Sequence, residues 1–171
     1  MRKNLILTFI GEDKPGLVES ISAVINNHDG NWLESRLSQL AGQFAGIIQI
    51  GVDTDQANAL INSLEGLKDQ GLNIVLKEGA ETRDISIVTH KLTLLGLDRP
   101  GIVKDVSSAL SDQRINVLEL NTNIVKAAMT GEPMFEAEAI VEYAASTDLM
   151  VLAEQLELIS AELGIDIELD D

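Results

Sequence analysis

Hydrophobic and polar residues in the first half of the chain alternate between strand-like and helix-like patterns. A β-rich run is followed by the loop Gly-Glu-Asp-Lys-Pro-Gly and then by apolar residues at the spacing of one helical face. Two strands joined by a turn, a second helical stripe and a last strand complete the half. The predicted strands are Asn4–Ile10, Trp32–Leu40, Phe44–Val52 and Leu72–Lys77, and the predicted stripes are Leu17, Val18, Ile21, Val24 and Ile25, then Ala57, Leu60, Ile61, Leu64 and Leu67.

Glycine and polar residues predict where the helices begin and end. Gly30 is a candidate left-handed cap after the first helix. Thr54 or Asp55 is a candidate N-cap of the second helix, which Gly71 ends.

The second half of the chain repeats this plan. About six extra residues are expected between its two middle strands, within residues 126–134. The predicted strands are Ile87–Leu95, Asn116–Val125, Phe135–Tyr143 and Asp166–Leu169, and the stripes are Ile102, Val103, Val106, Ala109 and Leu110, then Leu149, Leu152, Ala153, Leu156, Ile159 and Leu163.

The repeat is also seen in the identities of the residues. The segment Gly11–Val18 returns as Gly96–Val103, and the spacing of 85 residues holds for Asn31 and Asn116. Self-similarity of this kind decides the domain count. We predict an α+β protein of two ferredoxin-like domains with the order βαββαβ, each an antiparallel sheet with its helices on one face. The predicted boundaries are 1–78 for the first domain, 79–85 for a linker and 86–171 for the second domain.

The net charge of −16 bears on possible partners. Residues 1–84 hold 7 basic and 12 acidic side chains, and residues 85–171 hold 5 and 16. Nucleic acid is bound by clusters of Lys and Arg, which this chain lacks, so direct DNA or RNA binding is not expected. The alternating acidic residues Glu132, Glu136, Glu138 and Glu142 predict a solvated strand face, on which a basic partner could dock.

The absence of cysteine and of a long apolar run bears on the compartment. The chain has no cysteine, which fits a reducing compartment. The N-terminal apolar run lasts six residues, too few for a signal peptide or a membrane span. A cytoplasmic location without membrane contact is the expectation.

Three classes of protein share this order of elements. An RNA-recognition module needs stacking aromatics and a basic surface, which an acidic chain with 3% aromatic residues does not offer. An acylphosphatase-like enzyme needs an anion-cradling loop with an arginine after the first strand. This chain has Glu12 and Asp13 there, with Arg99 alone in the second copy, so this class is not expected.

The third class of protein is indicated by a sequence motif. This motif is Asp-x-Pro-Gly-[Leu/Ile]-Val after the first strand, followed some fifteen residues later by Asn and a hydrophobic residue. It occurs twice, at Asp13 and at Asp98, and resembles the motif of ACT domains, which commonly bind amino acids where two ACT domains meet. The run from Asn31 to Phe44 is similar to the first repeat of the glycine cleavage repressors, a group of tandem ACT proteins.

The chemistry of this loop also favours the binding of a small anionic ligand. Glycine lets a ligand approach the backbone, and the free amides of the following helix can receive a carboxylate. We place the two asparagines, each at the start of the next strand, beside the loop, where their amides would hold an α-amino acid. By resemblance, the candidate ligand-binding residues are Asp13, Gly16, Leu17 and Asn31, with Asp98, Gly101, Ile102 and Asn116.

Structural roles for the same residues stay open at this point. The aspartates can cap their helices, the Pro-Gly pairs can turn the chain, and the asparagines can satisfy loop backbone. Trp32 follows the first asparagine where the second copy has Val117, and its bulk would fill a pocket there. His28 and His90 have no partner at metal-ligand spacing, so we expect both to face solvent and no metal or cofactor to be bound.

The resemblance implies a regulatory protein and not an enzyme. It implies an amino-acid ligand such as glycine and a separate DNA-binding transcriptional activator, which the protein restrains when glycine is low. The alternative is a ligand-free scaffold or regulatory subunit of an amino-acid enzyme. ACT domains pair edge to edge, and both pairing within one chain and a homodimer of two chains are open.

Overall fold

The computed structural model describes residues 1–80 and 87–170, in two compact units, Met1–Thr82 and Arg83–Asp171. We call these units domain 1 and domain 2. Most of the predicted linker, residues 81–85, lies outside the described residues.

Domain 1 is a four-stranded antiparallel sheet with the strand order β2-β3-β1-β4. A 3₁₀ helix, Gly66–Gln70, extends its second helix. The elements are β1 (Arg2–Glu12), α1 (Leu17–Asn27), β2 (Asn31–Leu40), β3 (Gln43–Asp53), α2 (Thr54–Glu65) and β4 (Asn73–Glu78).

Domain 2 repeats this sheet with the order β6-β7-β5-β8. The added residues lie in the β6–β7 connection, as predicted, where the Ala127 N–H donates to the Glu132 carbonyl at 2.9 Å. The elements are β5 (Ile87–Leu97), α3 (Ile102–Asp112), β6 (Asn116–Lys126), β7 (Pro133–Ala144), α4 (Leu149–Leu163) and β8 (Ile165–Asp170).

Each core lies between one face of its sheet and the helices. Along β1, Leu5, Leu7 and Phe9 are buried while the residues between them face the other side, as the two-residue period of a strand requires. Leu17 and Ile21 bury one stripe of α1 against them. The predicted α+β class and the twofold βαββαβ order are therefore confirmed.

The end of α1 differs from the prediction. Asp29 takes the left-handed conformation, with φ of 53°, and Gly30 does not. Arg114 does the same in domain 2, with φ of 58°. Gly30 serves a different need, because a Cβ at this position would lie 2.9 Å from the carbonyl oxygen of Ile25.

The start of α2 also differs, because β3 runs into this helix with no loop between them. The N-cap is Asp53, and the Thr54 hydroxyl donates to the Met1 carbonyl at 2.8 Å, so neither Thr54 nor Asp55 is the cap. In domain 2 a loop precedes α4, and Asp148 caps it by accepting from the Met150 N–H at 3.0 Å.

Two further points concern the helices. Ala153, predicted in the apolar stripe of α4, is exposed. Leu152 and Leu156 are buried, and Ile159 and Leu163 pack against the same core. None of the helices in the described part of the chain is long and apolar enough to cross a bilayer.

Candidate ligand-binding loops

Glycine occupies the N-cap position of α1 and of α3. Gly16 has φ of 92° and Gly101 has φ of 96°, in the left-handed region that costs other residues energy. A Cβ on Gly16 would meet no atom within 4 Å, so backbone conformation and not crowding requires glycine. The first helical bonds run from the N–H of Ser20 and of Asp105 to these glycines, at 2.9 Å each. The amides of the three preceding helical residues thus have no acceptor within the helix.

Asp13 and Asp98 tie each loop to the neighbouring hairpin. The Asp13 N–H donates to the Gly42 carbonyl at 2.9 Å, and the Asp98 N–H donates to the Pro133 carbonyl at 3.0 Å. Both side chains are exposed. Since the caps of α1 and α3 are glycines without a side-chain hydrogen bond, the alternative in which these aspartates cap the helices is wrong.

Leu17 and Ile102 enter the site only through their backbone. Their side chains are 5% and 2% exposed and belong to the two cores. Each one anchors the first turn of its helix to the sheet, which holds the free amides in place.

A surface cavity of about 290 Å³ in domain 1 brings three predicted residues together, Asp13, Gly16 and Leu17. Lys14, Val18, Glu19 and Phe44 also line this cavity. Asn31 is not among its lining residues.

The basic residue between Asp and Pro was not among the predicted ligand-binding residues of either loop. The Lys14 ammonium donates to the Gln70 carbonyl at 3.0 Å. The Arg99 guanidinium lies 3.4 Å from the Asp105 carboxylate. A cation at a helix N-terminus adds to the attraction that the helix dipole exerts on an anion. The signal was present in the sequence, because both copies of the motif carry a basic residue at this point.

Asn31 lies at the end of the sheet opposite to the loop. It pairs with Gly51, which pairs with Asn4 near the start of β1, whereas the loop follows Glu12 at the end of β1. The eight steps along β1 from Asn4 to Glu12 span about 26 Å of extended strand. The placement of Asn31 beside the loop of its own domain is therefore wrong, because α1 carries the chain back to the end at which β1 began.

Asn116 has the same remote position in domain 2, and its amide is already engaged. It pairs with Glu142, which pairs with Thr89 at the far end of β5 from the loop. Its Nδ2 donates to the Glu142 carboxylate at 2.6 Å. The matching neighbour of Asn31 is Gly51, which has no side chain to offer such a bond.

Neither histidine faces solvent in the way that the sequence suggested. The His28 Nδ1 donates to the Val24 carbonyl at 2.9 Å. In this tautomer the His28 Nε2 accepts a hydrogen bond from the Ser63 hydroxyl, which lies 3.1 Å away. His28 is half-buried and joins α1 to α2.

His90 is half-buried against Tyr143 in domain 2. The Tyr143 hydroxyl lies 2.7 Å from the His90 Nδ1, and the two rings stack with centroids 5.5 Å apart. Burial raises the pKa of the Tyr143 phenol. Among the described residues no three His, Cys, Asp or Glu side chains are grouped so as to hold a metal ion.

Comparison with known proteins identifies the family of domain 1. The ACT domain family model matches residues 3–77. Domain 1 is therefore an ACT domain, and domain 2 has the same topology and strand register. The resemblance that the two loop motifs suggest is confirmed, and the chain has tandem ACT-type domains.

Two solved structures have this fold over nearly their whole length. An unknown protein from Galdieria sulphuraria is 24% identical, with a TM-score of 0.88 over 99% of this chain and 98% of that chain. A protein named for a proposed role as a glycine cleavage system transcriptional repressor is 16% identical, with a TM-score of 0.75 over 99% and 97%. No curated protein matches the sequence. At these identities the likeness shows the shared fold.

Proposed function

We propose that this protein is an amino-acid-responsive regulator without catalytic activity that acts by contact with another protein. In this proposal it represses the glycine cleavage system by restraining a separate DNA-binding activator in the cytoplasm. The observation that carries the proposal is the duplicated glycine-capped loop, with free helix amides and a basic residue beside them. The full-length likeness to the repressor-like protein supports the choice of pathway.

The loops supply what an amino-acid carboxylate needs. Gly16 and Gly101 leave the backbone approachable, and Lys14 and Arg99 bring positive charge to the same helix ends. Asp13 lines the domain 1 cavity, where its carboxylate would attract the ammonium group of the ligand. Asn31 and Asn116 remain candidate ligand-binding residues, although neither is near the loop of its own domain.

The partner contact is proposed on the open face of the domain 2 sheet. The ladder places Glu136 and Asp166 on either side of Leu95, and Glu138 and Glu168 on either side of Thr93. A basic surface on an activator would complement these carboxylates, and its binding would weaken with added salt.

Ligand binding is tested by calorimetric titration and thermal shift with glycine, serine and the other common amino acids. A ligand at a hundred times its Kd should stabilise the fold by about 2.7 kcal/mol, a shift of several degrees. Gly16→Ala and Gly101→Ala should each weaken binding at their own loop, while Gly66→Ala serves as the control, since Gly66 has an ordinary φ of −63°. Absence of any shift at high concentration would refute amino-acid sensing.

Partner binding is tested by purifying the tagged protein from its own cells with and without glycine. Retention of a transcription factor at low glycine and its release at high glycine would support the proposed repressor. Replacing Glu136 and Glu168 with Gln should weaken retention, whereas Glu78→Gln in domain 1 should not. A transcription factor retained equally at every glycine level would contradict the proposed response.

A ligand-free scaffold is favoured by one observation in domain 2. Asn116 is bonded to Glu142 and Arg99 is paired with Asp105, so two candidate ligand contacts are already satisfied within the domain. This second function would be supported if no amino acid gave a binding signal in the titration and the protein stably captured a metabolic enzyme.

A further inference from the structure

We propose that domain 2 binds a small apolar molecule in a cavity between α3 and the sheet. The cavity has a volume of about 130 Å³ and is lined by residues of α3, β5, β6 and β7. All the lining residues are apolar except Ser107. The cavity adjoins the first turn of α3, since Ile102 and Val103 line it. The proposed contacts are apolar side chains and not the free amides, so the proposal does not depend on the function proposed above.

The cavity has a buried floor and an exposed rim. Leu92 and Ile102, at its floor, are 0% and 2% exposed. Val103 on α3 and Leu120 on the edge strand β6 are 43% and 45% exposed. A ligand can therefore enter between the helix and the edge strand while the sheet stays intact.

Domain 1 has larger side chains at several of the matching positions. The rung that pairs Leu7 with Ile48 in domain 1 pairs Leu92 with Ala139 in domain 2, and Ile48 is 0% exposed. This alanine-for-isoleucine difference removes three carbons from the core.

Two further positions increase the difference in volume. Trp32 packs against the domain 1 core where Val117 lines the cavity. Phe9 packs on Phe44, with ring centroids 5.6 Å apart, where domain 2 has Leu94. Two exchanges go the other way. Ala137 adds one carbon where domain 1 has Gly46. Leu120 is larger than Ser35, which pairs with Ile48 in domain 1 as Leu120 pairs with Ala139 in domain 2.

The lining selects the chemistry of the ligand. Water needs two to four polar partners, and the Ser107 hydroxyl is the only side-chain polar group of the lining. A charged group would lose its hydration without a buried partner. An apolar cavity of about 150 Å³ engineered in another protein binds benzene, so the occupant that fits here is an uncharged group of about the size of benzene. Such a group can come from a free apolar molecule or from the side chain of an amino acid such as leucine.

The test is methyl NMR of the full chain during titration with benzene and, separately, with leucine. We expect saturable shifts at the methyl groups of Leu92, Ile102 and Val106. The matching methyl groups of domain 1, at Leu7, Leu17 and Ile21, are the internal control and should stay unchanged. Shifts with benzene alone indicate a free apolar ligand, and shifts with both indicate that an amino-acid side chain fits. No saturable shift with either compound, or equal shifts in both domains, would overturn the proposal.

A reciprocal pair of variants sharpens this result. Ala139→Ile should abolish the benzene shifts in domain 2 by filling the cavity. Ile48→Ala should create new shifts in domain 1. Undiminished benzene binding by folded Ala139→Ile would place the ligand elsewhere and refute the site. If this variant does not fold, the wild-type titration still decides, because its control lies in the same chain.

Discussion

The rung that joins the first and third strands of each domain places the same leucine opposite different residues. Leu7 faces Ile48 in domain 1, and Leu92 faces Ala139 in domain 2. The backbone register is the same at this rung, while side-chain volume differs. Two domains with the same strand pairing and helix arrangement can therefore have cores with different side-chain volumes, because the backbone hydrogen bonds of the sheet do not depend on the size of the core side chains.

At their loops, in contrast, the two domains are alike. Gly16 and Gly101 have nearly the same positive φ, and both loops are tied to the next hairpin by an aspartate N–H. Only glycine takes such a φ without strain. This chain therefore repeats backbone conformation closely while the volumes of its core side chains vary, so loops and cores should respond differently to substitution.

The largest expected effects come from exchanging the residues of the differing rung. Ile48→Ala should destabilise domain 1 by about 2–5 kcal/mol, because it removes buried carbons and leaves a void. Ala139→Ile should stabilise domain 2 by about 0.5–2 kcal/mol by filling one. Urea unfolding measures both, with Trp32 fluorescence reporting domain 1 and Tyr143 absorbance reporting domain 2. Destabilisation of similar size by both variants would mean that the two cores are equally full.

The next effects concern the glycines of the loops. Gly16→Ala and Gly101→Ala should each cost about 1–2 kcal/mol, since a left-handed φ is unfavourable for alanine. The matched control is Gly66→Ala, at a site with negative φ and open space, which should be neutral or stabilising. The same unfolding measurement applies. A cost at Gly66 as large as at Gly16 would show that helix position and not φ sets the effect.

The fold follows from the sequence because its signals are local and occur twice. The alternation of Leu5, Leu7 and Phe9 and the helical stripe from Leu17 identify their elements before any tertiary contact is known. The caps were less predictable. Asp53 caps α2 in place of Thr54 because the strand continues directly into the helix, and no local pattern encodes that missing loop.

The candidate site was only partly predictable, for a reason of chain direction. Gly16 and Asp13 are close in sequence and lie in one cavity. Asn31 is only fifteen residues beyond Gly16, yet the intervening helix moves it to the other end of the sheet. His90 meets Tyr143 across a ladder, so the sequence alone could not show that the histidine is half-buried.

A smaller effect distinguishes the domains at alkaline pH. Burial raises the pKa of Tyr143, so the folded state favours the neutral phenol more than the unfolded state does. Its contribution to stability is complete below the ordinary phenol pKa of about 10 and is lost as pH rises through the raised value. Domain 2 should therefore lose this stability above about pH 10, and Tyr143→Phe should remove the dependence. An identical alkaline profile in wild type and variant would exclude this role.

The smallest effects come from one exposed ion pair on each sheet, and they have opposite pH dependence. In domain 1 the hydrogen bond from Lys3 lowers the pKa of the Glu78 carboxyl. The contribution of this ion pair to folding stability is therefore present above the ordinary carboxyl pKa and is lost as pH falls through the lowered pKa of Glu78. In domain 2 the hydrogen bond to Glu138 raises the pKa of Lys91, so that contribution is lost as pH rises through the raised value.

Both ion pairs are exposed to solvent, and added salt screens them. Glu78→Gln should change the stability of domain 1 by no more than the error of a denaturation curve at neutral pH and moderate salt. Unfolding at low and high salt, on both sides of the carboxyl pKa, measures this. A large loss that persists in high salt would mean that Glu78 contributes through packing, and the two sheets would then differ in more than the sign of their pH response.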